Sequence, residues 1–205
     1  MRCSHERLHT SCVIAASNLG KRYGSRWIFR GLTFEVPQGQ RLVICGRNGS
    51  GKSTLLRLLA GLLSPSEGRV EHEQGDYRTS LGYAALDMAL YGHLSAREHL
   101  ELAARLRGCE AKSADLLDRV GLTHATHLPA SQHSTGMRAR LKLALAIQPE
   151  PAVLLLDEPG ASLDEQGREL VAALCDEQTQ RGCLIIATND PNERRLATHE
   201  LRLGE

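Results

Sequence analysis

The segment from Gly46 to Thr54 constrains this chain more than any other part of its sequence. It reads GRNGSGKST and matches the pattern G-x-x-x-x-G-K-[ST] at every fixed position. An apolar run ends at its first glycine, and a leucine-rich segment with helical spacing follows its last residue. Glycines leave room for a backbone that wraps its N–H groups around an anion, and the helix adds its positive dipole end. The segment is therefore predicted to bind the phosphates of a nucleotide.

Each residue type in this loop has a chemical role at the phosphates. The ammonium group of Lys52 can reach the β- and γ-phosphates, and the hydroxyl of Ser53 can ligate Mg²⁺. A chance glycine-rich turn is the alternative, but the fixed positions match by accident in on the order of one chain in a hundred or fewer. The predicted nucleotide-binding residues of the loop are Gly46, Arg47, Asn48, Gly49, Ser50, Gly51, Lys52, Ser53 and Thr54.

A second motif places two acids at the end of an apolar run. Val153 to Leu156 are all aliphatic, and Asp157 and Glu158 follow them directly. Such a run is typical of a buried strand, which delivers its last side chains to the sheet edge where an open α/β fold binds its ligand. Asp157 is predicted to hold Mg²⁺, and Glu158 to act as the general base for an attacking water. Two solvated acids at a surface are the alternative, which the upstream loop disfavours.

Short apolar runs alternate with helical patterns along most of the chain. This alternation predicts an α/β fold with a mostly parallel sheet core, and the phosphate loop makes it a fold of the P-loop NTPase type. An N-terminal antiparallel β portion is also expected. Strand signals are sparse in the middle, so residues 86–133 are predicted to form an inserted helical subdomain. Residues 13–205 would form a single domain behind a flexible lead at residues 1–12. The periodicity also predicts that Leu62 and Leu106 lie on buried helix faces.

Composition limits the classes of partner that we expect. The 205 residues include 25 Lys and Arg against 24 Asp and Glu, so the basic excess typical of nucleic-acid-binding proteins is missing. No nucleic acid partner is therefore expected. The N-terminus has no signal-peptide hydrophobic stretch, and the aliphatic runs are too short to cross a bilayer. The sequence predicts a soluble, cytoplasmic protein.

The cysteines give no sign of a disulfide framework or of a standard metal site. The six cysteines are scattered without a C-x-x-C pair, so we expect reduced thiols. One N-terminal group could supply sulfur and nitrogen ligands to zinc, but its spacing matches no standard zinc finger and a disordered lead-in is favoured. That group consists of Cys3, His5, His9 and Cys12.

A third motif, at Ser134 to Met137, reads S-T-G-M and precedes a helical pattern for which Ser134 is a suitable N-cap. With the phosphate loop upstream and the acidic strand downstream, the chain resembles the nucleotide-binding subunits of ABC transporters from about Val13 to Leu203. The S-T-G-M segment is similar to that family's signature sequence. The resemblance implies that Ser134, Thr135 and Gly136 face the γ-phosphate held by a partner subunit, so that ATP is enclosed between subunits.

Further positions take their expected roles from this resemblance. Tyr23 occupies the position of the aromatic residue that stacks on adenine, although a partly buried surface tyrosine is the alternative. Ser162 to Asp164 resemble the loop that contacts the neighbouring subunit. Where the family usually has a histidine at the γ-phosphate, this chain has Asn189, which can donate a hydrogen bond but cannot become cationic. Where the family usually has a glutamine, this chain has Leu86, and Asp87 or a bound water is the hypothesised substitute. Slower turnover is the expected consequence.

The resemblance implies a subunit that binds and hydrolyses ATP to power an ABC membrane transporter. Its expected ligands are ATP and Mg²⁺, and its expected catalytic residues are Lys52, Glu158 and Asn189. Its expected partners are membrane subunits and a second ATPase subunit, in a homodimer or a paired arrangement, on the inner face of the cell membrane.

The short chain and its signature are similar to the small haem-exporter-type ATPases of cytochrome c maturation. General exporters of drugs, lipids or polysaccharides have similar ATPase subunits. Two further functions also stay open at this point. One is an ATP-dependent dimerisation switch with little hydrolysis, and the second is a non-transport ABC ATPase that acts on chromosomes or ribosomes.

Overall fold

The computed structural model describes residues 12–72 and 80–204. The predicted flexible lead and the hypothetical zinc ligands lie outside these ranges, apart from the backbone of Cys12. The strands in the described residues are β1 (Cys12–Tyr23), β2 (Arg26–Pro37), β3 (Arg41–Gly46), β4 (Glu67–His72), β5 (Leu81–Ala85), β6 (Val153–Asp157), β7 (Cys183–Ala187) and β8 (His199–Leu203).

The helices connect these strands and cover the larger sheet. Short 3₁₀ segments at Thr123–Ala125 and Ala130–Gln132 join two of them. The α-helices in the described residues are α1 (Lys52–Leu59), α2 (Ala96–Arg107), α3 (Ser113–Arg119), α4 (Thr135–Ile147), α5 (Glu165–Arg181) and α6 (Pro191–Arg194).

The strands form two sheets of different kinds. The larger sheet has five parallel strands in the order β5-β6-β7-β3-β8. Its strands β6 and β7 are buried along their whole length, as expected for strands covered by helices on both faces. The smaller sheet is antiparallel, in the order β2-β1-β4. The predicted α/β class, with a parallel core and an antiparallel portion, is confirmed.

Alternate residues of the central strands pack into two different hydrophobic cores. In β6, Leu154 and Leu156 join the core formed with α4 and α5, whereas Val153 and Leu155 join the core formed with α1. This follows from the two-residue period of a strand, which sends successive side chains to opposite faces. The five-residue strand is therefore continuously aliphatic because both of its faces are covered.

The parallel register brings the carboxyl ends of three strands to one edge of the sheet. Asp157 at the end of β6 lies opposite Ala187 at the end of β7, and Ala187 lies opposite Ile44 of β3. The loops that follow these strands therefore start next to one another. This is the edge at which open α/β sheets bind ligands.

Helices α2, α3 and α4 fill the stretch of chain between β5 and β6. Helix α2 begins with a capping box, in which Ser95 caps the backbone and the Glu98 side chain accepts from the Ser95 N–H at 2.8 Å. It ends at Gly108, whose φ of 70° is favourable only for glycine. The boundary of a helical subdomain at residues 86–133 stays a prediction. Among the helices of the described residues, none is long and apolar enough to cross a membrane.

Two predictions of buried positions were wrong. Leu62 is 64% exposed because α1 ends at Leu59 and the chain turns at Gly61 with a φ of 68°. Leu106 is 70% exposed because the buried stripe of α2 follows Ala96, Leu100 and Ala104 at four-residue spacing. Both leucines border the same surface groove.

Candidate functional site

The phosphate loop requires glycine where the chain makes its closest approaches. Gly46 ends β3 with a φ of 151°, and an added Cβ would lie 2.5 Å from the Leu203 carbonyl oxygen. Gly51 has a φ of 101°, and its Cβ would lie 2.4 Å from the side chain of Ile28. Any side chain at these positions would therefore displace the loop from β8 or from β2.

Lys52 lies inside the loop rather than in solvent. Its side chain begins α1, and the residue is only 6% exposed. Its ammonium group donates to the Gly46 carbonyl at 2.9 Å and lies 3.5 Å from the Arg47 carbonyl. A buried ammonium requires hydrogen-bond acceptors, and phosphate oxygens are stronger acceptors than these carbonyls. Lys52 is therefore a candidate cation for the β- and γ-phosphates.

A cavity of about 360 Å³ lies directly against the loop. Glu158 lines it together with loop residues, although the two motifs are far apart in the sequence. Ile28 of β2 also lines it, and nothing in the sequence indicated this residue. The lining residues are Ile28, Asn48, Gly49, Gly51, Lys52, Ser53, Thr54 and Glu158.

The acidic pair lies beside the loop and offers oxygen ligands suited to a hard cation. Burial raises the pKa of Asp157, the neighbouring charge of Glu158 raises it further, and a hydrogen bond with the Ser53 side chain opposes both. A carboxylate and a hydroxyl that lie close together are oxygen ligands of the kind that Mg²⁺ prefers, and Mg²⁺ is usually bound through few protein ligands. Ser53 and Asp157 are therefore the candidate ligands for the metal.

The backbone of Glu158 adopts a conformation that is uncommon for a residue with a side chain. Its φ is 47°, and its N–H donates to the Ala187 carbonyl of β7 at 2.8 Å. Such strained residues persist where the surroundings hold them, and they cluster at functional sites. This geometry bends the chain away from β6 and brings the Glu158 side chain to the cavity.

Asn189 reaches the loop from the end of β7. Its side-chain amide lies 2.8 Å from Asn48 Oδ1. With the amide turned to satisfy both of its ends, the nitrogen donates to the Gly46 carbonyl at 2.6 Å and the oxygen accepts from Lys52 Nζ at 3.1 Å. Asn189 thus contacts the groups predicted to hold the γ-phosphate, and it is a candidate hydrogen-bond donor there.

Tyr23 lies at the end of β1 and is 52% exposed. It does not line the cavity, but β1 and β2 form one hairpin, and that hairpin contributes Ile28 to the cavity. The ammonium of Lys21 lies 5.2 Å from the centre of the Tyr23 ring. An exposed ring in this position is available to stack on a base.

We expect Tyr23→Ala to weaken ATP binding by about 1–3 kcal/mol, the usual contribution of one stacked base. The matched control is Tyr91→Ala, because Tyr91 is similarly exposed but lies outside this hairpin. Titration with a fluorescent ATP analogue measures both variants. Equal affinities for Tyr23→Ala, Tyr91→Ala and the wild type would contradict a stacking role.

The S-T-G-M segment forms the start of α4, away from the phosphate loop. The Ser134 hydroxyl accepts from the Met137 N–H at 3.2 Å and caps the helix. A Cβ on Gly136 would lie 3.4 Å from the Ser162 carbonyl oxygen, so this helix start packs against the loop after β6. Thr135 lines a separate cavity of about 430 Å³. The signature and the phosphate loop therefore line different cavities of the same chain.

Asp87 is paired with a cation rather than free. It forms an ion pair with Arg57 of α1, and its charge contributes to the raised pKa of Asp157. The adjacent Leu86 is exposed, and its carbonyl accepts from Lys142. The Asp87 carboxylate is therefore close enough to Asp157 to affect its pKa, and Arg57 holds it in place. The hypothesis that Asp87 assists the metal site depends on this arrangement.

We expect Asp87→Ala to raise the Mg²⁺ concentration required for ATP hydrolysis about tenfold, as for loss of one charge-assisted hydrogen bond of about 1.5–3 kcal/mol. Asp115→Ala, at an exposed position of α3, is the control. The measurement is ATPase rate against Mg²⁺ concentration. An unchanged rate and unchanged metal dependence would remove Asp87 from the mechanism.

One buried acid near the site was missed in the sequence. Glu193 lies in α6 and is 8% exposed, and its Oε1 accepts from the Gly160 N–H at 2.7 Å. A single glutamate in a polar segment gives no sequence signal of burial, because most such residues are solvated. Only the folded structure shows that Glu193 lies next to the loop that follows Glu158.

The site and the fold agree with what comparison with known proteins finds. The family model described as ABC transporter matches residues 29–161. The cytochrome c biogenesis ATP-binding export protein CcmA of Bradyrhizobium diazoefficiens is 41% identical over 186 residues, covering 88% of this chain and 92% of that protein. The protein of the same name from Nitrosococcus oceani is 37% identical over 183 residues, covering 86% of this chain and 85% of that protein.

A solved structure supports the fold independently of sequence. The ATP-binding cassette MJ0796, in a dimeric post-hydrolysis state bound to ADP and Pi, superposes with a TM-score of 0.84 over 93% of this chain and 94% of that one. Its sequence identity is 22%, so this likeness concerns the fold alone. Because the family model spans more than half of the chain and the CcmA proteins match nearly all of it, this chain belongs to the ABC transporter family, among its ATP-binding subunits.

Proposed function

We propose that this chain is the ATP-hydrolysing subunit of an ABC exporter that acts in cytochrome c biogenesis. The observation that carries the catalytic part is the shared cavity of Lys52, Ser53 and Glu158. A phosphate-binding cation, a metal-ligating hydroxyl and a general base are the groups that phosphoryl transfer to water requires. The export part is supported by the names of the relatives that match nearly the whole chain.

The residues divide the reaction between them. The loop amides and the Lys52 ammonium hold the triphosphate, and Asn189 donates a hydrogen bond to its terminal phosphate. Ser53 and Asp157 hold Mg²⁺, which supplies positive charge to the phosphates when bound. Glu158 accepts hydrogen bonds from the lytic water and aligns it for in-line attack. Tyr23 stacks on the adenine.

A second ATPase subunit completes the site. The N-terminus of α4 presents N–H groups and the hydroxyls of Ser134 and Thr135, which together can bind an anion. Both residues are exposed, and neither lines the phosphate-loop cavity of its own chain. We propose that they contact the γ-phosphate held by the partner's loop. Hydrolysis then weakens the pair because it removes the charge that both subunits share.

The role in cytochrome c biogenesis is tested genetically. In the source organism, deletion of the gene is expected to abolish haem-stained c-type cytochromes in the membrane fraction. The wild-type gene should restore them, and a gene carrying Glu158→Gln should not, because hydrolysis is required. Normal c-type cytochromes in the deletion strain would reject this assignment and leave the ATPase assignment intact.

The membrane partner is proposed to dock in the groove between α1 and α2. The groove has a volume of about 730 Å³, and the exposed side chains of Leu62 and Leu106 line it. Arg107 also lines it, donates to the Leu81 carbonyl at 3.1 Å, and forms no ion pair with a carboxylate of the described residues. An apolar helix that carries an acid would cover the leucines and pair with this guanidinium.

We expect Leu106→Glu to reduce co-purification of membrane subunits at least about tenfold, because the new carboxylate would replace apolar contact area in the groove and compete with the partner's acid for Arg107. ATP affinity should not change, because Leu106 does not line the phosphate-loop cavity. Arg105→Glu on the same helix is the control, since Arg105 does not line the groove. Undiminished recovery of membrane subunits with Leu106→Glu, from mild-detergent extracts, would place the docking surface elsewhere.

A further inference from the structure

We propose that Glu193 is a positioning residue that holds the loop carrying Glu158 against the segment carrying Asn189. This inference rests on the proposed ATPase function and adds a residue to its machinery. Glu193 does not line the phosphate-loop cavity, so it acts through its neighbours rather than on ATP.

The Glu193 carboxylate joins two segments of the site. Its Oε1 accepts from the Gly160 N–H at 2.7 Å, two residues beyond Glu158. Glu193 itself belongs to α6, which begins two residues after Asn189, and its second oxygen, Oε2, is buried without a hydrogen-bond partner among the described residues. One hydrogen bond therefore ties the turn that follows the general base to the helix that follows the candidate phosphate donor.

This contact is one of two anchors on either side of Glu158. The Glu158 N–H is fixed to the Ala187 carbonyl at 2.8 Å, and the Gly160 N–H is fixed to Glu193. Between these anchors the backbone holds Glu158 at a φ of 47°. A left-handed conformation at a residue with a side chain needs such support from its surroundings. Removal of the second anchor would let the turn relax and move the Glu158 carboxylate.

The anchored turn continues into the loop that packs against the signature. The Leu163 N–H donates to the Gly160 carbonyl at 3.1 Å, and Arg168 donates to the Leu163 carbonyl at 2.8 Å. The Ser162 carbonyl in turn packs against Gly136 of the signature. A shift at Gly160 would therefore reach the surface that is proposed to meet the partner subunit.

The environment of Glu193 shows that its carboxyl group is held there against an electrostatic cost. Burial raises its pKa, and the charges of Asp190 and Glu158 raise it further, although the hydrogen bond with Gly160 opposes this. A buried carboxyl group with these neighbours need not stabilise the fold, because replacing buried charged groups with apolar ones is often neutral or stabilising.

Three variants separate this role from a general structural one. Glu193→Ala removes the acceptor for the Gly160 N–H. Glu193→Gln keeps an oxygen in the same place, because an amide carbonyl also accepts a hydrogen bond. Gly160→Ala attacks the contact from the other side, since its Cβ would lie 2.6 Å from Glu193 Oε1. Glu169→Ala, at an exposed position of α5, is the control.

The expected result is a fall in kcat of about tenfold or more for Glu193→Ala and Gly160→Ala, because small displacements of catalytic groups have effects of this size. The Kd for ATP should stay within about twofold of the wild type, since the phosphate loop is untouched, and Glu193→Gln and Glu169→Ala should keep wild-type kcat. Hydrogen exchange in the peptide covering Pro159 to Asp164 should rise in Glu193→Ala and stay low in Glu193→Gln.

Wild-type kcat and exchange in Glu193→Ala would overturn the proposal. Equal losses in Glu193→Ala and Glu193→Gln would also overturn it, as would a parallel loss of ATP affinity and thermal stability, which indicates a general structural role. If the wild-type protein itself does not hydrolyse ATP, the ATPase proposal fails, and the hydrogen-exchange comparison still decides whether Glu193 holds the loop.

Discussion

Replacement of Lys52 by alanine is expected to lower ATP turnover by about 10²–10³-fold, which is the usual effect of removing one group that stabilises developing charge. Lys52 is the buried cation of the loop, and its ammonium already lies within 2.9 Å of the Gly46 carbonyl. When a triphosphate binds, the Lys52 ammonium would exchange the neutral Gly46 carbonyl for charged phosphate oxygens as its hydrogen-bond acceptors. The ammonium therefore does not have to be desolvated when ATP binds, because folding has already buried it.

The loss of charge must be separated from the loss of packing. Lys52→Met keeps an unbranched side chain of similar length, so it fills the same space without the ammonium group. Both variants should show the same loss of turnover in a steady-state phosphate-release assay. Lys112→Ala is a matched control, because Lys112 pairs with Glu150 on the surface and does not line the cavity. Wild-type turnover and ATP affinity in Lys52→Met would contradict the assignment of the loop.

The fold and the main elements of the site could be predicted because they depend on local patterns. At Gly46 and Gly51 a Cβ would clash with the Leu203 carbonyl and with the Ile28 side chain, so the loop requires glycine there and its spacing is visible in the sequence. The acidic pair follows a strand whose burial on both faces requires continuous aliphatic residues. Open α/β sheets bind ligands at the carboxyl ends of their strands, so Glu158 could be predicted to lie near the phosphate loop, although β7 lies between β6 and β3.

Features that depend on packing between distant elements could not be predicted. The apolar pattern of α2 allowed two overlapping stripes, and only the position of the neighbouring helices left Leu106 in solvent. Glu193 resembles any solvated acid in the sequence, and only the close approach of α6 to Gly160 buries it. The contact of Asn189 with Asn48 and Lys52 likewise requires β7 to lie next to β3.

Glu158→Gln is the second large effect that we expect, a fall in kcat of about 10²–10⁴-fold with ATP affinity retained. Glutamine has nearly the same size and shape as glutamate. The strained turn at residue 158, which is anchored to the Ala187 carbonyl and through Gly160, can therefore keep its geometry. The amide cannot accept a proton from water at neutral pH. Bound ATP should therefore persist, and the ATP-bound pair of subunits should accumulate, as measured by size-exclusion chromatography with light scattering in Mg²⁺ and ATP. Glu165→Gln, in the exposed first turn of α5, is the control.

The same variant decides between hydrolysis and an ATP-dependent switch. The resemblance to the family implies that Leu86 and Asn189 stand where a glutamine and a histidine are usual, and an asparagine cannot supply the positive charge of a protonated imidazole. If the wild type turns over ATP clearly faster than Glu158→Gln, Leu86 and Asn189 do not abolish hydrolysis. If the two rates are equal while both proteins dimerise with ATP, binding alone drives the conformational change. Glu158 would then serve the geometry of the turn rather than the activation of water.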